Sequence, residues 1–147
     1  MDLASLPTQS DKLYLRNFSQ QFADLEGPAP DDETEWPARC AWVVVKFASE
    51  GDLMNHGNLT SRRETKFAGL GTAAFEMSDV VVENPRELML HEVFWTLSQI
   101  GNLMVNGELL KLVNLKFKDF REIWKNLPPQ VTDAIHQAVV FTNPMWS

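Results

Sequence analysis

The sequence is poor in the residues that carry covalent and metal chemistry. It has one cysteine, Cys40, in 147 residues. An internal disulfide is therefore excluded, which fits a reducing compartment. Cys40 and the three histidines, His56, His91 and His136, are all far apart in the sequence. Only the fold could bring any two of them together. Structural zinc sites usually take their ligands in local pairs, so we expect no metal and no cofactor.

The chain also lacks an uninterrupted apolar run. Its most apolar region, Leu88 to Val105, contains polar residues such as His91 and Glu92, which favours a buried helix over a membrane span. The first residues, Met-Asp-Leu-Ala-Ser-Leu-Pro, have neither the basic start nor the apolar stretch of a secretory signal. We therefore expect a cytoplasmic or otherwise intracellular protein that is not secreted and has no transmembrane segment.

Recognisable catalytic motifs are missing as well. No serine lies in a G-x-S-x-G context, and no second histidine follows His91-Glu92 at zinc-protease spacing. Residues 69–74 match the G-x-G-x-x-A dinucleotide fingerprint, but that motif needs a preceding strand and here a helix is predicted. We expect Cys40 to be a small core residue, His91 to be a hydrogen-bonded core or rim histidine and His136 to be a solvated residue on the polar side of its helix. The sequence predicts no catalytic residues, no small-molecule substrate and no enzymatic activity.

Basic residues are absent from one acidic stretch. The fifteen residues 24–38, which we call the acidic segment, contain six carboxylates and no lysine or arginine. The whole chain has 20 acidic and 13 basic residues, whereas the rest of it has 14 and 13. The acidity is therefore local. An acidic chain is also poorly suited to binding nucleic acid directly, because that needs clustered cations.

What is present predicts helices. The length suits one domain with a closed core, and the fold class predicted is mainly α, a single-domain bundle of five to six helices. Capping residues and apolar spacing place these helices at Ser10–Leu25, Thr34–Glu50, Ser61–Met77, Pro85–Val105, Glu108–Leu127 and Pro129–Phe141. The helix from Pro85 is apolar on nearly every side, so we expect it at the centre of the core.

One segment is ambiguous. Thr34 as a cap, an early Pro37 and a terminal Gly51 favour a helix, whereas the β-branched run from Trp42 to Phe47 favours a strand. The matched end signals favour the helix. A short two-stranded β element, with residues 80–83 paired to residues 43–47, is the alternative that remains open.

The composition divides the chain into four parts. We predict an N-terminal helix over residues 1–26, an acidic, proline-rich linker over residues 27–36, a helical core domain over residues 37–142 and a C-terminal tail over residues 143–147. The linker has two prolines close to adjacent like charges, and this combination favours an extended backbone.

Two tryptophans lie at positions that are hard to bury in a compact domain. Trp36 lies at the edge of the acidic segment, within its last three residues, and Trp146 lies next to the C-terminal residue. Exposed aromatics on flexible backbone are candidate anchors for another chain; the alternative is that each folds back onto its own domain. The predicted partner-binding residues are Asp31, Asp32, Glu33, Glu35, Trp36, Met145 and Trp146.

These observations predict a non-catalytic protein-binding or assembly subunit, or an adaptor, of a larger complex. Its partners are expected to be other protein subunits, with no nucleic acid and no membrane, and a virus- or phage-type particle is one such setting. The alternative is an acidic inhibitor that occupies a basic nucleic-acid-binding groove on another protein. A basic cluster is expected to form the solvated face of one helix or to meet the acidic segment; it comprises Lys111, Lys116, Lys118, Arg121 and Lys125.

Overall fold

The computed structural model describes residues 6–60, 63–64, 80–81 and 84–147. Within these ranges the helices are α1 Gln20–Glu26, α2 Trp36–Arg39, α3 Glu50–Thr60, α4 Pro85–Thr96, α5 Phe117–Trp124 and α6 Pro129–Thr142. The strands are β1 Leu13–Tyr14, β2 Trp42–Val45, β3 Arg63–Glu64, β4 Val80–Val81, β5 Leu97–Gly101, β6 Met104–Val105 and β7 Glu108–Leu109. Short 3-10 helices cover Leu15–Asn17, Glu33–Glu35 and Pro144–Trp146.

Helices predominate, but a three-stranded antiparallel sheet is also present, in the order β1-β2-β5. The prediction of a mainly helical chain is therefore confirmed. The structure nevertheless contains a three-stranded sheet, where the sequence predicts at most a short two-stranded β element. The helix predicted over Thr34–Glu50 is wrong beyond Arg39, because Trp42–Val45 forms the central strand. Val43 and Val45 are fully buried there, and β-branched side chains pack well on a pleated surface.

Helix α4 begins as predicted and ends earlier. The Asn84 side chain accepts a hydrogen bond from the Glu87 N–H, with Pro85 in the first turn. The helix stops at Thr96 instead of Val105, because the chain from Leu97 becomes β5 and pairs with β2. An apolar sequence that is buried on every side suits a strand as well as a helix, so periodicity did not separate the two.

The helix predicted over Glu108–Leu127 is also too long. Asn106 and Gly107 both have positive φ, at 53° and 81°, and join β6 to β7 in a hairpin. Asn-Gly is the strongest two-residue hairpin signal, because both turn positions need positive φ. Helix α5 begins only at Phe117.

The N-terminal helix is likewise shorter than predicted. Ser10 does not cap it; instead its backbone N–H and its side chain bond to the backbone of Val45, which extends the pairing along β2. Ser19 caps α1 in its place, since its hydroxyl accepts from the Phe22 N–H. Phe22 is buried, whereas Leu25 is 68% exposed.

Two predictions concern the part of the chain that is little described. Most of the helix predicted over Ser61–Met77, with its G-x-G-x-x-A sequence, lies outside the described residues, and its described part, Arg63–Glu64, is a strand. Val80–Val81 is a strand, but it pairs with Arg63–Glu64 and not with residues 43–47.

The core lies between the sheet and the helices. Helix α4 contacts α3, α5 and α6, so its predicted central position is confirmed. Helix α6 matches its predicted span almost to the residue, and it packs Ala134, Ile135, Ala138 and Val139 into the interior. No helix in the described ranges combines the length and the apolarity that crossing a bilayer requires.

Candidate functional site

The acidic segment is fixed at its start by an inward-facing carboxylate. Glu26 accepts a hydrogen bond from the Arg16 guanidinium at 3.0 Å and another from the Ala41 N–H at 2.9 Å. Arg16 also donates to the Gly27 carbonyl. Glu26 is therefore used within the fold, and it ties the end of α1 to the residue before β2.

The carboxylates that follow lie on a short turn, so the extended backbone predicted for the linker is wrong at residues 33–35, which form a 3-10 helix. Asp32 precedes the 3-10 helix Glu33–Glu35, and its side chain accepts from both the N–H and the hydroxyl of Thr34. These hydrogen bonds, with that from the hydroxyl as the larger cause, lower the pKa of Asp32. This is the usual capping role of aspartate at the start of a helix.

The four predicted acidic residues all face solvent. Asp31, Asp32, Glu33 and Glu35 are exposed, and the nearest cation to any of them in the described structure is Arg39, whose guanidinium is 4.0 Å from Glu35. Among described residues the other three carboxylates form no ion pair. The turn therefore presents a concentrated negative charge that the rest of the described fold leaves almost uncompensated.

Trp36 holds this turn against the sheet. Its indole N–H donates to the Pro30 carbonyl at 2.9 Å, which closes the loop that carries the carboxylates. Its ring meets Tyr14 edge-on, with centroids 5.2 Å apart, and Arg16 lies 5.7 Å from the ring centroid. Trp36 is half-buried, so part of it packs on its own domain and part remains at the surface.

The C-terminal tail folds back onto the domain. Trp146 is 7% exposed and belongs to the core, whereas the neighbouring Met145 is 60% exposed. Buried Asn143 orients the tail, because its amide bonds to the backbone of both Lys46 and Ala48. Of the two alternatives for Trp146, the structure shows the self-docked one, so this side chain is not available as a surface anchor.

A second cluster joins three helices through one buried carboxylate. Glu92 on α4 is 2% exposed. His56 Nε2 on α3 lies 2.6 Å from Glu92 Oε2, and His136 Nε2 on α6 lies 2.6 Å from Glu92 Oε1. Trp146 stacks on the His56 ring at a centroid distance of 5.2 Å. The expectation that His136 is a solvated residue is wrong.

This arrangement is a hydrogen-bonded bridge. An N–H of each imidazole donates to one oxygen of Glu92, so the buried carboxylate has a partner for each oxygen, which a buried charge requires. Within the described ranges no group of three or more His, Cys, Asp or Glu side chains is arranged to hold a metal ion. The bridge can lock α3, α4 and α6 together.

Sequence reasoning could have found half of this bridge. A glutamate in the most apolar helix must have a hydrogen-bonding partner, because an unpaired buried carboxylate is very costly. Its partners come from positions 36 residues before and 44 residues after it. No local spacing identifies such distant partners.

The remaining histidine and the cysteine have mainly packing roles. His91 stacks on Phe117 at 4.8 Å and lies 3.7 Å from a Glu87 oxygen, so it is the core or rim histidine that the sequence indicates. Cys40 is buried, as expected for a small core residue. Burial raises the pKa of the Cys40 thiol, and the nearby Glu26 carboxylate adds to this effect.

The predicted basic cluster is divided between two elements. Lys111 lies in the irregular segment between β7 and α5, whereas Lys118 and Arg121 are on α5. Arg121 pairs with Glu87 and Lys125 pairs with Glu122, and the hydrogen bond from Arg121 is the main cause that lowers the pKa of Glu87. Acids of the same domain therefore neutralise part of the cluster.

Comparison with known proteins identifies no relative: no protein-family model, curated protein or solved structure matches this chain.

Proposed function

We propose that this protein is a non-catalytic binding or assembly subunit that contacts a cationic surface of another protein through its acidic segment. The observation that supports this most is the solvent-facing turn of residues 31–35. It carries four carboxylates, and among described residues only Glu35 has a cation within 4.0 Å.

The local geometry favours a contact surface over a loose solvating tail. Asp32 caps the turn, and the Trp36 indole bonds across it to Pro30. Carboxylates on a fixed backbone turn lose less conformational freedom on binding than those on a mobile tail, so more of the interaction energy appears as affinity. Clustered charge of one sign also accelerates encounter with an oppositely charged partner.

The test compares three forms of the full chain. The first is wild type. The second neutralises the turn with Asp31→Asn, Asp32→Asn, Glu33→Gln and Glu35→Gln; Asn at position 32 keeps an oxygen for the cap. The third is a charge-matched control with Asp11→Asn, Glu50→Gln, Glu108→Gln and Asp119→Asn, all of which are exposed. Both variants lose four negative charges, so they have the same net charge.

Each form is used to capture proteins from the cells that make it, and the captured proteins are quantified by mass spectrometry. We expect wild type and the control to retain the same cationic partner. The neutralised variant should capture at least about tenfold less of this partner, which corresponds to a loss of about 1.4 kcal/mol in binding free energy. The binding should weaken as salt rises, because exposed charges are screened. Equal retention of the same proteins by all three forms would refute the proposal.

The inhibitor alternative uses the same carboxylates and differs in what the partner normally binds. If the protein occupies a nucleic-acid-binding groove, DNA or RNA should compete with it for the captured partner, and removal of the four charges should abolish that competition. If it is an assembly subunit, the partner should bind both at once. A competition assay with the purified partner separates these two functions.

A further inference from the structure

The exposed edge of the three-stranded sheet borders a groove. Strand β5 is the last strand in the order β1-β2-β5. A groove with a volume of about 560 Å³ separates it from the irregular segment of residues 109–114, and both stretches line that groove. None of the four carboxylates of the acidic turn lines it, although the Pro37 carbonyl accepts hydrogen bonds from two lining residues, Trp42 and Asn102. The groove is therefore a second surface, separate from the carboxylates of the function proposed above.

Both walls of the groove have free backbone groups. An edge strand directs alternate N–H and C=O groups away from its sheet. Within the described structure, the backbone of residues 98–101 makes no hydrogen bond beyond its pairing with β2, and that of residues 111–115 makes none at all. An extended chain in the groove would supply partners for them.

The sequence of β5 does not protect its edge. Natural edge strands usually carry charged residues or proline that block pairing with another chain, but β5 is Leu-Ser-Gln-Ile-Gly. Its five residues span roughly 16 Å at about 3.3 Å per residue, which is enough to pair with a short strand.

The side chains around the groove indicate the chemistry of its occupant. Ile100 and Val113 supply apolar wall, and the rim continues into Leu109, which is 60% exposed and lies opposite Met104 in the β6–β7 hairpin. Among the described residues that line the groove, Lys111 alone is charged. It is exposed and forms no ion pair with a described residue.

We propose that this groove binds an extended peptide segment of another protein by β-strand addition. The peptide pairs its backbone with β5, places apolar side chains of alternate residues against Ile100, Val113 and Leu109, and carries an aspartate or glutamate opposite Lys111. Main-chain pairing supplies affinity, and the alternate side chains supply specificity.

The test uses a library of random linear peptides displayed on their own mRNA and selected on the full chain. We expect the enriched peptides to alternate apolar residues around an acidic one. Synthetic versions should bind about tenfold or more weakly to Leu109→Ser and to Lys111→Glu than to wild type. Leu25→Ser and Lys118→Glu are the matched controls, at exposed positions away from the groove, and should bind like wild type.

Hydrogen exchange then tests the mode of binding. A bound peptide should slow exchange of backbone amides in residues 98–101 and 111–114, whereas docking through side chains alone would leave them unprotected. Four results would overturn the proposal: no enrichment over empty beads, equal affinity for Leu109→Ser, Lys111→Glu and wild type, unprotected amides in residues 98–101 with the peptide bound, or self-association of the chain that Leu109→Ser abolishes. The last would identify a second copy as the occupant.

Circular dichroism spectra and melting temperatures of all four variants check that each is folded. The variants of the acidic segment keep the groove intact, so they should bind the selected peptides as wild type does. Failure of this inference is therefore distinguishable from failure of the proposed function.

Discussion

Glu92 is the buried carboxylate that links three helices. Both of its oxygens accept hydrogen bonds, from His56 on α3 and from His136 on α6, and it is almost fully buried. A glutamine of the same shape keeps one acceptor oxygen and replaces the other with an NH₂ donor. One of the two imidazoles then meets a donor instead of an acceptor.

We therefore predict that Glu92→Gln lowers the free energy of unfolding by roughly 1–3 kcal/mol, the usual cost of an unsatisfied buried polar group. Urea denaturation measures this. The matched control is Glu108→Gln on an exposed strand, which should stay within about 0.5 kcal/mol of wild type. An equal effect of the two substitutions would show that the bridge contributes nothing.

His91 gives the second residue-scale prediction. Burial is the main cause that lowers the pKa of His91; Glu87 acts against it and Arg121 adds to it. The folded state therefore binds this proton less readily than the unfolded state, whose histidine pKa is about 6.5. The contribution of neutral His91 to the free energy of unfolding is fully present above that pH. It is lost as the pH falls through and below it.

We expect His91→Phe to lose less stability than wild type between neutral and mildly acidic pH, because phenylalanine keeps the stacking on Phe117 without titrating. The difference in slope is bounded by about 1.4 kcal/mol per pH unit for one proton. Urea denaturation at several pH values measures both slopes. Parallel curves for the two proteins would contradict the assignment.

At the scale of elements, strand β5 depends on a glycine. A Cβ on Gly101 would overlap the indole of Trp42, its cross-strand partner. We predict that Gly101→Ala destabilises the protein by about 1–3 kcal/mol, as overpacking usually does. Gly57→Ala on α3 is the control, since nothing lies within 4 Å of its Cβ position, and alanine in a helix should be neutral or stabilise by up to about 1 kcal/mol. Thermal denaturation of both variants checks the pair.

The elements also show what the sequence alone predicts and what it does not. The start of α4 and the whole of α6 were predictable, because caps, prolines and apolar spacing agree there. The strands β2 and β5 were not, because each is stabilised by the other across more than 50 residues, and both lie in apolar runs that also suit a helix. The Asn106-Gly107 pair is a hairpin signal in the sequence, but it is equally compatible with the boundary between the predicted helices Pro85–Val105 and Glu108–Leu127.

The candidate site is also predictable from the sequence only in part. Exposure of the carboxylates on the turn is predictable from the sequence, because aspartate and glutamate are almost never fully buried without a partner. The docking of Trp36 and Trp146 onto their own domain depends on Tyr14, His56 and other distant residues. Local composition contains no information about those contacts.

On the scale of the whole molecule, the C-terminal tail closes the fold. Trp146 packs on His56 and near Trp95, so it joins the last residues of the chain to α3 and α4. We predict that Trp146→Ala lowers the free energy of unfolding by about 3–5 kcal/mol, as expected for a large buried aromatic side chain. Met145→Ala, at an exposed neighbour, should cost no more than about 0.5 kcal/mol. Denaturant titrations of the two variants compare them, and equal stabilities would contradict the role of the tail.

The central claim is that the fold presents the acidic turn to another protein. The most direct measurement is made on an extract of the cells that make the protein. Size exclusion separates the extract, and light scattering gives the mass of the species that contains the chain. We predict that wild type and the charge-matched control elute in a heavier complex with a second protein in fixed ratio, and that the neutralised variant elutes at the mass of the free chain. The claim is contradicted if wild type elutes as the free chain, or if all three forms elute in the same complex.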